Sequence, residues 1–122
     1  MTTATLRLLL IEDEDAHAEL VQAAFEDEDV ELIHVVNLAA AEAALRDRAP
    51  HLVLADWRLP DGEASQMLGR GLPVVIMTSH GNERVAVEMI RAGAVDYISK
   101  SVASLADLPR VVGRAWREWN QA

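Results

Sequence analysis

A chain of 122 residues that is 51% hydrophobic has material for one domain with a core of ordinary size. Its net charge of −9 argues against direct nucleic-acid binding, which needs basic surface. No apolar run approaches the roughly 20 residues of a membrane helix, the start Met1-Thr-Thr-Ala-Thr5 does not read as a secretory signal, and the lack of cysteine excludes disulfides and thiolate metal sites. The expectation is a single cytoplasmic domain over 1–122, without membrane insertion and without an output domain.

Leu6–Ile11 is near-continuously apolar, as a strand buried on both faces would be. Residues 15–25 read as a helix with Leu20, Val21 and Ala24 at helical spacing. Residues 30–36 are rich in β-branched side chains and predict a second strand, followed by an Ala-rich helix over 38–48 that Pro50 terminates. The third strand covers 51–56. Leu59-Pro-Asp-Gly62 signals a turn, and 63–68 leaves room for only a stunted third helix. The fourth strand runs over 73–78. Asn82 can cap a fourth helix over 83–92, Gly93 fits its C′ position, and the fifth strand covers 94–99. In the last helix, Leu108, Val111, Val112, Ala115, Trp116 and Trp119 form one apolar stripe, with Pro109 in the first turn. Two identical tetrads, Glu12-Asp-Glu-Asp15 and Glu26-Asp-Glu-Asp29, differ only in context. The first follows a buried strand, whereas the second, after a helix end, reads as a solvated turn. Strand–helix alternation with buried strands predicts an α/β fold, a doubly wound five-stranded parallel sheet of order 2-1-3-4-5.

Sites in such sheets lie beyond the carboxyl ends of the strands, at the switch point between strands 1 and 3. Four apolar runs here each end on a polar group. The first stops at Glu12-Asp13. The others stop at Asp56, Thr78 and Lys100, 22 positions apart, and Lys100 is the only lysine among 11 basic residues. Asp13 and Asp56 on neighbouring strand ends repel unless something neutralises them. An oxygen-only donor set favours a hard cation, Mg²⁺ or Mn²⁺. Lys100 offers a compact positive charge and Thr78 a hydroxyl donor. The set suits a phosphoryl group in flight, with Asp56 as the carboxylate nucleophile.

Glu12-Asp13, then Asp56 with Leu59-Pro60 and Gly62 behind it, then Thr78-Ser79, then Tyr97-Ile-Ser-Lys100 resemble the receiver domain of two-component response regulators, over about residues 5–120. Each element alone is a weak motif and the combination a specific one. The resemblance implies the flavodoxin-like strand order and a chemotaxis-regulator-like module, in which Asp56 accepts a phosphoryl group from a phosphohistidine. The partners implied are a sensor histidine kinase or phosphotransfer protein, a downstream protein target, and a second copy of the chain. Asp13 and Asp56 match the metal carboxylates, Arg58 the position lending a backbone carbonyl to the metal, and Glu12 a neighbour acting through water. Thr78 and Lys100 match the phosphoryl-binding pair, and Ser79 a position kept small for donor entry. Tyr97 matches a switch aromatic that swings inward with Thr78. That movement alters the face of the fourth helix, fifth strand and fifth helix (α4–β5–α5), through which a homodimer would form.

Two departures stand out. Lysine-proline with a cis peptide is usual after strand 5, and here Lys100-Ser101 follows. A cis bond before a non-proline residue costs about 3–4 kcal/mol, so a trans bond and a rearranged loop are expected. The short segment between Gly62 and Pro73 accounts for the stunted third helix. Among receivers, Lys-Ser followed by Leu105, Leu108 and Pro109 most resembles those joined to, or working beside, sensor histidine kinases.

Trp57 adjoins the acceptor as a packing residue and fluorescence reporter, and Trp119 is the more exposed of the last helix's pair. His80 bears on water access to the phosphoryl group, while His17, His34 and His51 show no ligand spacing. The rival readings are an aspartyl-phosphate-forming phosphohydrolase, a flavin or nucleotide carrier, and a degenerate receiver acting only as a protein-binding module. The first lacks the second aspartate of an Asp-x-Asp nucleophile motif in Asp56-Trp-Arg58. The second is opposed by the acidic first loop and the absence of a glycine-rich one. The third is opposed by the five intact main positions.

Overall fold

The computed structural model describes residues 5–79 and 82–121. In chain order, β1 (Leu6–Ile11), α1 (Asp15–Ala24), β2 (Val30–Val35), α2 (Leu38–Asp47) and β3 (Leu52–Asp56) are followed by a two-residue hairpin, Arg58–Leu59 with Gly62–Glu63. Then come a 3₁₀ turn (Ala64–Met67), β4 (Val74–Thr78), α3 (Glu83–Arg91), β5 (Asp96–Ser99), α4 (Val102–Ala106) and α5 (Leu108–Gln121). The five long strands form one parallel sheet in the order β2-β1-β3-β4-β5. This is the expected doubly wound topology.

The sheet is buried on both faces, so its strands alternate between two cores. Leu8, Leu10, Leu52, Leu54, Val75, Met77 and Ile98 pack against α1, α4 and α5. Leu9, Ile11, Val53, Ala55, Val74 and Ile76 pack against α2, the 3₁₀ turn and α3. β3 and β4 are buried along their whole length, and their unbroken apolar runs reflect it. The amphipathic stripe of α5 delivers Leu108, Val111, Val112 and Ala115 into the first core, while Trp119 is 37% exposed.

The stunted third helix is a single 3₁₀ turn anchored by buried Ala64 and Met67. Gly62 leads into it with φ of 150°, where a side chain is strained, and an added Cβ would lie 2.6 Å from the Gln66 amide nitrogen and 2.9 Å from Leu38 Cδ1, side-chain ends that would have to move. The second acidic tetrad is an exposed turn between α1 and β2.

No cis peptide occurs among the described residues, so the Lys100–Ser101 bond is trans as expected. Ser101 begins a separate helical turn, α4, by accepting a hydrogen bond on its Oγ from the Ser104 N–H at 3.1 Å. Proline could not supply that cap. Leu105, fully buried, pins α4 to the core beside α1. The sequence reading placed one helix here, beginning near Leu108, and α4 is an addition to it.

Candidate functional site

The strand ladders do not stop where the strands do. The Glu12 N–H donates to Val35 O at 3.0 Å, Trp57 N–H to Met77 O at 2.9 Å and Lys100 N–H to Thr78 O at 2.8 Å. Each residue that leaves a strand end is therefore still tied to the neighbouring strand. Glu12, Asp56 and Lys100 inherit the rigidity of the sheet and converge at one edge of it. Asp13, Asp56, Trp57, Arg58, Ser79 and Lys100 are among the residues that line one open cleft there.

Lys100 sits at the centre. Its side chain is 5% exposed, and its Nζ lies 2.9 Å from Asp56 Oδ2 and 2.9 Å from Glu12 Oε1. The bond to Asp56 is a well-formed hydrogen bond. The contact with Glu12 is an ion pair without hydrogen-bond alignment, leaving Oε1 unpartnered in that sense. Glu12 is 0% exposed, and its other oxygen accepts the Glu14 N–H at 3.1 Å, which satisfies a donor at the start of α1. His34 on β2 fixes the same turn from behind, its Nε2 lying 2.7 Å from the Glu12 carbonyl oxygen.

Burial pushes the Asp56 carboxyl up from its ordinary value, the nearby charges of Asp13 and Glu14 add to that, and Lys100 opposes it. Burial likewise pushes Glu12 up, with Asp56 adding and Lys100 opposing. For Lys100, burial alone pulls the ammonium down, but the close contacts and charges of Asp56 and Glu12 outweigh it and the direction is up. Burial leads for the two carboxyl groups and their combined pull on the ammonium leads for the lysine, in a cleft with more carboxylates than one lysine neutralises. Carboxylate oxygens of Glu12, Asp13 and Asp56 lie within 4.8 Å of one another. Oxygen donors at that separation, with charge to spare, fit a hard divalent cation.

Thr78 is buried, and its hydroxyl donates a long 3.4 Å bond to the Ile98 carbonyl. Tyr97 is 41% exposed. Arg58 is exposed, its guanidinium carbon 4.8 Å from the Trp57 ring centroid, a cation–π contact beside the acceptor candidate. His80 lies outside the described residues.

Two contributions escaped the sequence reading. Asp61 accepts the Leu38 and Ala39 N–H groups on its two carboxylate oxygens, at 2.8 and 3.0 Å, and so ties the loop after Asp56 to the start of α2. Asp61 followed a turn signal, and nothing local revealed a partner 23 positions away. His17 was read as showing no ligand spacing. It stands one helical turn after Glu14, with Nδ1 3.1 Å from Glu14 Oε2 and 4.0 Å from Glu12 Oε1. The Glu14–His17 interval carried that signal, whereas the approach to Glu12 required the fold.

The model of the response regulator receiver domain matches residues 8–112. The chain is 30% identical to the methanogenesis regulatory protein FilR1 of Methanothrix harundinacea, over 93% of this chain and 28% of that protein. It is 32% identical to the phosphate regulon transcriptional regulatory protein PhoB of Escherichia coli, over 77% of this chain and 44% of that protein. The chain thus spans less than half the length of these relatives. Among solved structures, the signal receiver domain of a putative LuxO repressor protein from Vibrio parahaemolyticus superposes with a TM-score of 0.85 at 26% identity, covering 97% of this chain and 95% of that one. With the family model covering residues 8–112 and a matching fold, the chain belongs to the receiver domains of two-component response regulators.

Proposed function

We propose that this receiver domain is a phosphoacceptor and that Asp56 is the acceptor. The observation that carries the reading is the 2.9 Å hydrogen bond from the sole lysine to Asp56 inside an otherwise over-acidic cleft. A carboxylate oxygen of Asp56 attacks the phosphorus of a phosphohistidine. The P–N bond breaks, its electron pair stays with the imidazole nitrogen, and an aspartyl phosphate results. Lys100 leaves its contact with the carboxylate for the arriving phosphoryl oxygens, and the Thr78 hydroxyl turns from Ile98 to donate to another.

Asp13, Asp56 and the Arg58 backbone carbonyl would hold Mg²⁺ or Mn²⁺, with Glu12 acting through water. Such an ion supplies charge neutralisation to the acceptor carboxylates and the phosphoryl oxygens. Ser79 leaves the entry open. Water then attacks the acyl phosphate and releases inorganic phosphate, so the domain catalyses only its own phosphorylation and dephosphorylation.

As Thr78 turns, Tyr97 moves inward from its exposed position and shifts the population of the surface built from α3, β5 and α5, the counterpart of the α4–β5–α5 face of the family. Val87 and Ile90 on α3 are 48% and 39% exposed, and they offer apolar contacts to a downstream protein target or a second copy of the chain. The donor is a sensor histidine kinase or a phosphotransfer protein, and the compartment is the cytoplasm. No described helix is long and apolar enough to cross a membrane.

The test is intact-mass analysis after incubation with Mg²⁺ and acetyl phosphate. Wild type gains one acid-stable, base-labile phosphoryl group of about 80 Da, and Asp56→Asn gains none. Absence of the adduct in wild type refutes the acceptor reading, and its persistence in Asp56→Asn refutes the assignment. Multiple turnover of a phosphoester would favour a phosphohydrolase.

A further inference from the structure

We propose that His51 is a proton-operated latch: its neutral imidazole closes the β1–β3 ladder at the end of the sheet opposite the acidic cleft and seats Trp116 of α5, and protonation releases both. Parallel pairing of β1 with β3 begins at Leu8 with Leu52. One residue earlier the ladder is finished by a side chain. The His51 N–H donates to the Arg7 carbonyl at 2.8 Å, and the Arg7 N–H donates to His51 Nδ1, also at 2.8 Å. The neighbouring Ala49 carbonyl is taken by the Arg7 guanidinium, whose Nε and Nη2 donate to it at 3.3 and 3.1 Å.

A backbone N–H can only donate. His51 Nδ1 therefore keeps its lone pair, and the neutral ring holds its proton on Nε2. The same ring meets Trp116 edge to face, with centroids 5.5 Å apart and planes at 68°. Protonation turns Nδ1 from acceptor to donor. Two N–H groups then face each other, and the Arg7 amide loses its partner. Trp116 packs against the core that α5 shares with β1 and β3, so an open latch loosens α5 from the sheet. α5 belongs to the surface proposed above to meet a partner.

The surroundings favour the neutral ring. The charges acting on His51 are Arg7 of β1 and Arg48 after α2, both positive, while α5 presents the uncharged Trp116. On β2, Glu31 pairs in register with Arg7, and its carboxylate lies 3.5 Å from Arg48 Nη1. Burial first, then the two arginines, hold the imidazole below its ordinary value. As pH falls below about 6.5 the unfolded chain therefore takes up the proton first. The latch contributes fully above that pH, and its contribution is lost as pH falls through the folded value. The length of β3, roughly 16 Å, separates His51 from Asp56, so the latch stands whether or not Asp56 accepts a phosphoryl group.

Amide hydrogen exchange and NMR titration of the whole chain test it, with wild type and His51→Asn. The asparagine Oδ1 takes the place of Nδ1 as acceptor and does not titrate. In wild type, protection of the Arg7 amide, relative to that of Leu54 in mid-strand, falls about tenfold or more between about pH 7.5 and pH 5, and the Trp116 indole resonance moves with it. In His51→Asn the relative protection is the same at both pH values. The ¹⁵N shifts of His51 report the Nε2–H tautomer at neutral pH and a midpoint below about 6.5, a readout that needs no variant. Unchanged relative protection in wild type, an equal acid loss in His51→Asn, or a His51 midpoint at or above that of free imidazole side chains overturns the proposal.

Discussion

Lys100 is where single residues decide most in this molecule. With a side chain 5% exposed between two buried carboxylates, it is the cation that makes Glu12 and Asp56 tolerable in the core. Removing it leaves two desolvated negative charges, and breaking a buried pair in this way costs on the order of 3 kcal/mol. Lys100→Met should therefore lose about that much stability without metal, measured by urea unfolding, and recover part of it when Mg²⁺ is added.

Asp61 acts through a different mechanism. Two backbone N–H groups hold its carboxyl below the ordinary carboxylate range. A depressed folded pKa contributes stability above the unfolded value and loses it as pH falls through the folded one, so the contribution fades below about pH 4. Asp61→Ala should melt lower than wild type at pH 7, with the gap narrowing at pH 3. A constant gap would remove the charge from the explanation. Asp13, Asp56, Thr78 and Lys100 were legible in the sequence because each ends a recognisable apolar run. Asp61 and the Glu12 side of His17 were not, because their partners come from other elements.

At the scale of elements, the strands and their order were readable from buried apolar runs separated by helical stretches. The region after β5 was readable only in part. Serine in place of proline signalled a rearranged loop, yet the outcome, a five-residue helix capped by Ser101 and seated by Leu105, depends on docking against α1. Five residues with no long periodic stripe carry too little pattern to announce a helix. Ser101→Ala should cost about 1 kcal/mol by loss of the cap, and Leu105→Ala about 2–5 kcal/mol by transfer and cavity terms. Chemical denaturation resolves the two. Equal small losses would mean that α4 is not anchored by Leu105. Because Lys100 immediately precedes this helix, Leu105→Ala should also weaken the Lys100 contacts, whereas a core substitution in α2, such as Ala41→Gly, should not.

For the whole molecule, one pair of strands runs between the acidic cleft and the surface of α3, β5 and α5. β4 carries Thr78 and pairs with β5, which carries Tyr97, in the register Ile76 with Tyr97 and Thr78 with Ser99. In the proposed switch, a movement of Thr78 would reach a side chain two residues earlier on the neighbouring strand. Phosphorylation should lower the exposure of Tyr97, read as slower surface labelling of its ring, and Thr78→Ala should abolish the change without preventing phosphorylation. Labelling that is equal in both states would dissociate the face from the acceptor.

The central claim, that Asp56 receives the phosphoryl group, can be read from one peptide. Cleavage after Arg48 and Arg58 releases residues 49–58, in which Asp56 is the only carboxylate side chain. Borohydride converts an aspartyl phosphate to homoserine. After incubation with acetyl phosphate and Mg²⁺, then reduction and digestion, homoserine should stand at position 56 in wild type. Homoserine at another aspartate, or none in a chain that has gained a phosphoryl group, would contradict it.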